Sequence, residues 1–118
     1  MKGAFTAYQL LIRVSQPVSV RVGRLGHFYF PAGDYIYTGS ARCNMESRIA
    51  RHLRKEKKLR WHIDYLMVDP HVQVIRVKRS RKDECLLNQF VGGTVIVPGF
   101  GASDCRSGCG SHLRYVGE

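Results

Sequence analysis

Alternating apolar and polar positions dominate the first forty residues of the chain. Strands are predicted there at residues 4–14, 18–22, 27–30 and 35–38. In the first of them, Tyr8 and Leu10 lie on one face and Phe5 and Ala7 lie on the other. Glycines and a turn at residues 31–34 separate the later strands. We therefore expect the N-terminal third to form a small antiparallel sheet.

The apolar spacing becomes helical after residue 40. Asn44 is expected to cap a helix whose buried stripe is Met45, Ile49 and Leu53, with His52 at the border of that stripe. Further elements are predicted as a helix at 61–66, a strand at 71–78, a helix at 82–91, a strand at 94–97 and an edge strand at 111–116. The pattern predicts an α+β fold, with a small mainly antiparallel β-sheet flanked by helices. We expect one domain spanning residues 1–118.

Positive charge is concentrated in two short windows. The chain has 19 Lys and Arg against 9 Asp and Glu, a formal net charge of +10. Eight of these cations lie within residues 42–60 and five within 76–82. Such clustering is typical of a polyanion-binding surface, and nucleic acid is the expected partner. From the first window we expect contacts to nucleic acid by Arg42, Arg51, Arg54, Lys55, Lys57, Lys58 and Arg60.

The sequence argues against a membrane or secreted protein. No apolar run approaches the roughly 20 residues that a spanning helix needs, and the N-terminus lacks the apolar stretch of a signal peptide. We expect a cytoplasmic location and no membrane partner. Reducing conditions there favour free thiols or a metal site over disulfides for the four cysteines.

A set of ordered motifs runs through nearly the whole chain. Gly3-Ala4-Phe5 opens the first strand and Tyr37-Thr38-Gly39 ends the fourth, while Arg48 and Glu84 follow on separate helices. This order and spacing resemble the GIY-YIG nuclease superfamily, and in particular its small stand-alone branch of uncharacterised conserved domains. In that branch we expect stretches such as 30–33, 35–41, 51–54, 61–66 and 99–105 of this sequence.

The resemblance implies an endonuclease that hydrolyses phosphodiester bonds with one Mg²⁺ or Mn²⁺ ion. Glu84 would hold the ion, and Arg48 would stabilise the negative charge of the transition state. Tyr37, and with it Tyr35, would orient or deprotonate the attacking water. His52 would contact phosphate or relay a proton. DNA is expected in preference to RNA, in a repair or processing role, and specificity could come from a protein partner or a homodimer.

The first motif departs from the superfamily pattern. Phe5 stands where a tyrosine is usual, and phenylalanine has no hydroxyl with which to position water. Tyr8 is expected to be a poor substitute, because it points to the opposite strand face, about 10 Å along the chain. On this interpretation, cleavage depends on whether Tyr37 can act without a hydroxyl at position 5.

Cysteine and histidine recur near the C-terminus at Cys105, Cys109 and His112, which could share a zinc ion. A fourth ligand could come from Cys43, Cys85, Asp104 or His62, and the spacing selects none of them. A glycine- and serine-rich turn explains the same segment without metal.

Two functions other than an active nuclease stay open. One is a basic nucleic-acid-binding module that kept the fold and lost cleavage. The other is a zinc-stabilised adaptor in a larger complex. In these cases Tyr35 and Tyr37 are half-buried strand aromatics, Glu84 offsets neighbouring cations and His52 is a core-edge histidine.

Overall fold

A computed structural model describes residues 5–41, 44–82, 84–89, 91–101 and 109–117, with only the backbone of Leu86. The elements are β1 (Ala7–Val14), β2 (Val18–Val22), a 3₁₀ turn (Gly23–Leu25), β3 (Gly26–Phe30), β4 (Gly33–Ser40), α1 (Met45–Leu53), α2 (His62–Met67), β5 (Val72–Ser80), α3 (Glu84–Gln89) and β6 (Leu113–Gly117). The predicted α+β class, with a mainly antiparallel sheet and flanking helices, is confirmed.

The central sheet has four antiparallel strands in the order β5-β1-β4-β6. One face of β1 carries Tyr8, Leu10, Ile12 and Val14, and all four are buried. The core lies between this face, helices α1 and α2, and the β2–β3 hairpin. Strand β6 is at the sheet edge, as expected for the C-terminal segment.

The N-terminal strands do not form one sheet, contrary to the prediction. Both edges of β1 are occupied, by β4 and by β5, so β2 and β3 pair only with each other among the described strands. The predicted strand at 94–97 is also wrong, since only Thr94 forms a bridge, with Tyr115. Positive φ angles of 70° at Gly92 and Gly93 bend the chain just before it, and Pro98 cannot donate to a ladder.

Helix α1 turns a different face inward from the one predicted. Ile49 is buried, but Leu53 is 52% exposed, and His52 is fully buried in its place. The helix ends at Leu53 and Arg54 is already extended, so Leu53 points outward at the helix end. A hydrogen bond inside the core holds His52, which explains why a polar residue displaces an apolar one from the stripe.

Candidate active site and metal cluster

Tyr8 and Tyr37 stand side by side on the core face of the sheet. The register pairs Leu10 with Tyr37 and Tyr8 with Gly39, so all four positions share one face. A Cβ atom on Gly39 would lie 2.6 Å from the Tyr8 hydroxyl oxygen, which explains the glycine that ends the motif. Gly101, at φ +67°, leaves similar room for the Tyr37 ring. Glycine at both positions lets the two rings pack against backbone.

The structure places Tyr8, and not Phe5, on the strand face of Tyr37. Phe5 precedes β1, is 43% exposed and lies under the Arg81 guanidinium. Tyr8 carries a hydroxyl, and the need for a hydroxyl at position 5 stays a prediction. The parity of the strand already contained this signal, because Tyr8 shares its face with Leu10. The match to the tripeptide Gly3-Ala4-Phe5 instead indicated Phe5 as the residue of the site.

His52 connects the two tyrosines to helix α1. Its Nε2 atom lies 2.6 Å from the Tyr8 hydroxyl oxygen, and its ring centroid lies 5.9 Å from that of Tyr37. Burial, and after it the nearby Lys57 charge, lowers the pKa of His52 to about 4. The imidazole is therefore neutral at pH 7. Its Nδ1 atom is buried and has no hydrogen-bond partner among the described residues.

Arg48 and Glu84 bring opposite charges to the tyrosine pair. Burial raises the pKa of Tyr8 above its ordinary value, the Arg48 charge opposes that rise, and the Glu84 charge adds to it. Burial likewise raises the pKa of Tyr37. The Glu84 charge raises it further, and the Arg48 charge opposes the rise. Both charged groups are thus close enough to act on the two hydroxyls.

The ring of Trp61 packs against the guanidinium of Arg48. The Arg48 guanidinium lies 5.2 Å from the centre of the Trp61 ring, and Arg51 lies 4.4 Å from it. The ring of His52 packs against the same tryptophan, with centroids 5.5 Å apart. Stacking of this kind restricts a flexible guanidinium to one region of space. Sequence patterns gave Trp61 only a packing role.

Asp64 fixes the position of Arg51. Its two carboxylate oxygens each lie 2.8 Å from a guanidinium nitrogen of Arg51, and one of them also accepts from the backbone N–H groups of Arg60 and Trp61. Burial alone would raise the pKa of Asp64, but these hydrogen bonds outweigh it and lower that pKa. Arg51 is therefore a structural ion-pair partner. The neighbouring His62 accepts from the Gly101 backbone N–H at 2.8 Å.

Three soft metal ligands meet next to Glu84. The Sγ atoms of Cys85 and Cys109 and a ring nitrogen of His112 all lie within 4.8 Å of one another, so the three residues could hold a metal ion. His112 Nδ1 lies 2.8 Å from Glu84 Oε2. The cluster contains two of the three ligands expected from sequence, and Cys85 joins them. Cys105 lies outside the described residues.

Comparison with known proteins gives one match. The sequence matches the family described as domain of unknown function DUF123 over residues 7–118. The chain belongs to the DUF123 family. No curated protein and no solved structure matches it. This DUF123 chain has no helix, in the described ranges, that is long and apolar enough to cross a membrane.

Tyr35 does not join the site of this DUF123 domain. Its hydroxyl donates to the Pro31 carbonyl at 2.6 Å, and its ring packs against Tyr115. Burial raises the pKa of Tyr35, and the charges that act on it are those of Tyr115 and Tyr29. Tyr35 lies two residues along β4 from Tyr37, on the side away from Gly39. The structure therefore gives Tyr35 other partners than Arg48 and Glu84, and its catalytic role stays a prediction.

Part of the predicted basic surface is used inside the molecule. The Lys55 ammonium donates to the Met67 and Asp69 carbonyls, at 2.8 and 2.9 Å, and also to that of Val72. Lys57 donates to the His52 carbonyl at 2.9 Å, and burial lowers the pKa of Lys57 to about 8. Like Arg51, these two lysines therefore donate hydrogen bonds to other groups of the protein and help to hold its segments together.

Three further cations of that window are exposed. Arg54, Lys58 and Arg60 face solvent on the segment that joins α1 to α2. Arg42 lies outside the described residues. In the second window, Arg79 forms a bidentate ion pair with Glu46, at 2.6 and 2.7 Å. Several of the cations counted in the two windows are thus engaged in contacts within the protein, and fewer are left for a polyanion than the sequence suggests.

Proposed function

We propose that this chain is a metal-dependent endonuclease of the GIY-YIG type, hydrolysing phosphodiester bonds in nucleic acid, and in DNA in preference to RNA. The observation that carries the proposal is the convergence of Tyr8 and Tyr37 with the charges of Arg48 and Glu84 on one end of the sheet. A phosphate with an attacking water needs a cation, a proton acceptor and a metal-binding carboxylate. This group offers all three. The single-domain span 1–118, a repair or processing role and a protein partner or homodimer stay predictions.

Arg48 is the proposed phosphate ligand. Its guanidinium is partly exposed, and stacking on Trp61 holds it in place, whereas Arg51 is occupied by Asp64. A planar guanidinium donates two parallel hydrogen bonds to phosphate oxygens and stabilises the charge that builds up as water attacks. Of the two arginines against Trp61, Arg48 is thus the one whose donors can serve a substrate.

Tyr8 is the proposed water ligand, in place of the missing hydroxyl at position 5. Its oxygen is hydrogen-bonded to neutral His52, which can hold a proton on either ring nitrogen. Tyr8 can therefore accept a proton from the attacking water while it passes its own hydroxyl proton to His52 Nε2. His52 has no exposed surface, so it serves this relay and does not contact phosphate.

Glu84 suits the single metal ion of such an enzyme. It is a hard oxygen ligand with a side chain 25% exposed, and His112 Nδ1 lies 2.8 Å from its Oε2 atom. Mg²⁺ commonly binds through one or two carboxylates and keeps several waters. The ion would supply Lewis-acid stabilisation of the phosphate oxygens. Sulfur donors do not suit Mg²⁺ or Mn²⁺, so Cys85 and Cys109 belong to a different, softer ion such as zinc.

A second candidate is a nucleic-acid-binding module without cleavage. The raised pKa values of Tyr8 and Tyr37 favour it, since neither hydroxyl ionises at neutral pH. The net charge of +10 and the exposed Arg54, Lys58 and Arg60 serve binding equally well. Zinc could stabilise such a module.

The test is cleavage of plasmid, branched and single-stranded DNA and of matched RNA, with Mg²⁺ or Mn²⁺ and with chelator. The enzyme proposal predicts metal-dependent nicking that Arg48→Leu abolishes, while Arg24→Leu, at an exposed arginine of the 3₁₀ turn, leaves it intact. Binding that weakens steeply with salt, without any cleavage, would favour the second candidate.

A further inference from the structure

The thiols of Cys85 and Cys109 and the imidazole of His112 come from two places in the chain, since Cys109 and His112 are three residues apart. Cys85 lies on α3, Cys109 follows the segment 102–108, and His112 immediately precedes β6. Cys109 and His112 are buried, and Cys85 is partly buried. Folding brings Cys85, more than twenty residues earlier in the sequence, to the local pair Cys109 and His112, so the cluster is more than a sequence motif.

The spacing of the ligand atoms fits a tetrahedral ion. Cys85 Sγ lies 3.9 Å from His112 Nε2, and all three ligand atoms lie within 4.8 Å of one another. Sulfur and nitrogen ligands of a tetrahedral zinc, at about 2.3 and 2.0 Å from the ion, are separated by about 3.5 to 3.8 Å. Small side-chain adjustments therefore bring all three onto one ion.

Glu84 fixes the orientation of the histidine. His112 Nδ1 lies 2.8 Å from Glu84 Oε2 and 3.2 Å from the Thr38 carbonyl oxygen. With the ring proton on Nδ1, donated to these acceptors, the lone pair of Nε2 is directed toward the cysteine side. A carboxylate behind a metal-bound histidine is the usual outer partner of zinc ligands.

We propose that Cys85, Cys109 and His112 bind one zinc ion, with Glu84 as the outer partner of His112. Two thiols lose their protons to solvent when the ion binds, and a water completes the fourth position. The ion ties α3 to the start of β6 and thereby fixes Glu84 next to the tyrosine pair. This last link rests on the proposed nuclease function, whereas the zinc site itself does not.

The experiment measures zinc in the absence of nucleic acid. Purified full-length protein should contain one zinc per chain, and after removal of zinc it should bind Co²⁺ with a thiolate-to-metal charge-transfer band. Cys85→Ser, Cys109→Ser and His112→Gln should lose the ion. Glu84→Gln should keep it, with affinity lower by about 10- to 100-fold. His27→Gln, at an exposed histidine of β3, is the matched control and should bind as the wild type does.

Several outcomes overturn the proposal. They are wild-type protein that binds Co²⁺ without a thiolate band, a Cys85–Cys109 disulfide in protein purified under reducing conditions, and folded cysteine variants that keep full zinc affinity. The wild-type cobalt spectrum decides the question even where a cysteine variant fails to fold. Protein that binds zinc but does not cleave would contradict only the nuclease. Cleavage in Mg²⁺ at the wild-type rate by a variant that lacks the zinc site would contradict only the link between the zinc ion and Glu84.

Discussion

The hydroxyl oxygen of Tyr8 lies 2.6 Å from Nε2 of His52, and both side chains are buried. Because burial holds the pKa of His52 near 4 and that of Tyr8 above its ordinary value, both groups are neutral at pH 7. When Tyr8 takes a proton from water and passes its own proton to His52, the imidazolium formed is balanced by the hydroxide that attacks the phosphate. The pair lies next to Tyr37, within the influence of Arg48 and Glu84.

Removing only the Tyr8 hydroxyl tests this relay. We predict that Tyr8→Phe lowers kcat by about 100-fold or more, in the range of a general acid–base group, with little change in DNA affinity. It also leaves His52 Nε2 without its partner, at a cost of about 1–3 kcal/mol in the free energy of unfolding. Single-turnover cleavage and urea unfolding measure the two effects.

The matched control for that change is Tyr29→Phe, at an exposed tyrosine of the β2–β3 hairpin. It should alter neither quantity. If Tyr8→Phe cleaves at the wild-type rate, the first-strand hydroxyl has no catalytic role.

The burial of His52 predicts a specific dependence of stability on pH. The unfolded chain binds a proton at this residue near pH 6.5, whereas the folded protein does so only near pH 4. Between these values acidification favours the unfolded state, so stability falls by about 3 kcal/mol as the pH decreases through the window. Denaturant titrations at intervals from pH 7 to 4 measure it.

His52→Gln supplies the comparison, because glutamine does not titrate. Its stability should fall less than that of the wild type over the same window. Parallel pH profiles for the two proteins would show that His52 titrates normally in the folded state.

Trp61 is predicted to act on cleavage through Arg48. Stacking at 5.2 Å is worth about 0.5–2 kcal/mol, so Trp61→Leu should lower kcat by about 2- to 30-fold with a smaller change in KM. Trp61 is also the chain's single tryptophan, so its fluorescence reports the contact. Arg48→Leu should shift that emission, and Arg54→Leu should not.

Asp64 is predicted to contribute strongly to the free energy of unfolding. It is fully buried, and Asp64→Ala leaves Arg51 and two backbone N–H groups without their acceptor. The expected loss in the free energy of unfolding is about 3–5 kcal/mol. Glu56→Gln, at an exposed acidic residue, should change it little. A loss at Asp64 no greater than that control would contradict a structural role for this ion pair.

Most strands and helices could be predicted from the sequence, but contacts between side chains that are distant in sequence could not. Alternation in β1 correctly grouped Tyr8 and Leu10 on one face, because a strand repeats every two residues whatever surrounds it. The burial of His52 and the exposure of Leu53 could not be predicted, because they depend on a hydrogen bond to Tyr8, which is 44 residues away. Cys85 likewise meets Cys109 only through folding. Charge counts could not separate Lys55, which ties backbone carbonyls together, from the exposed Lys58.

The central claim is that this chain cuts phosphodiester bonds with a metal ion held by Glu84. The most direct measurement is the cleavage rate of wild type and Glu84→Gln on the same labelled DNA substrates, in Mg²⁺, with the zinc content of both preparations matched. The account predicts cleavage by the wild type that stops with chelator, and a loss of about 100-fold or more in the variant, since the carboxylate supplies the site of charge stabilisation. Cleavage by Glu84→Gln at the wild-type rate, or no cleavage by the wild type on any of these substrates, would contradict it.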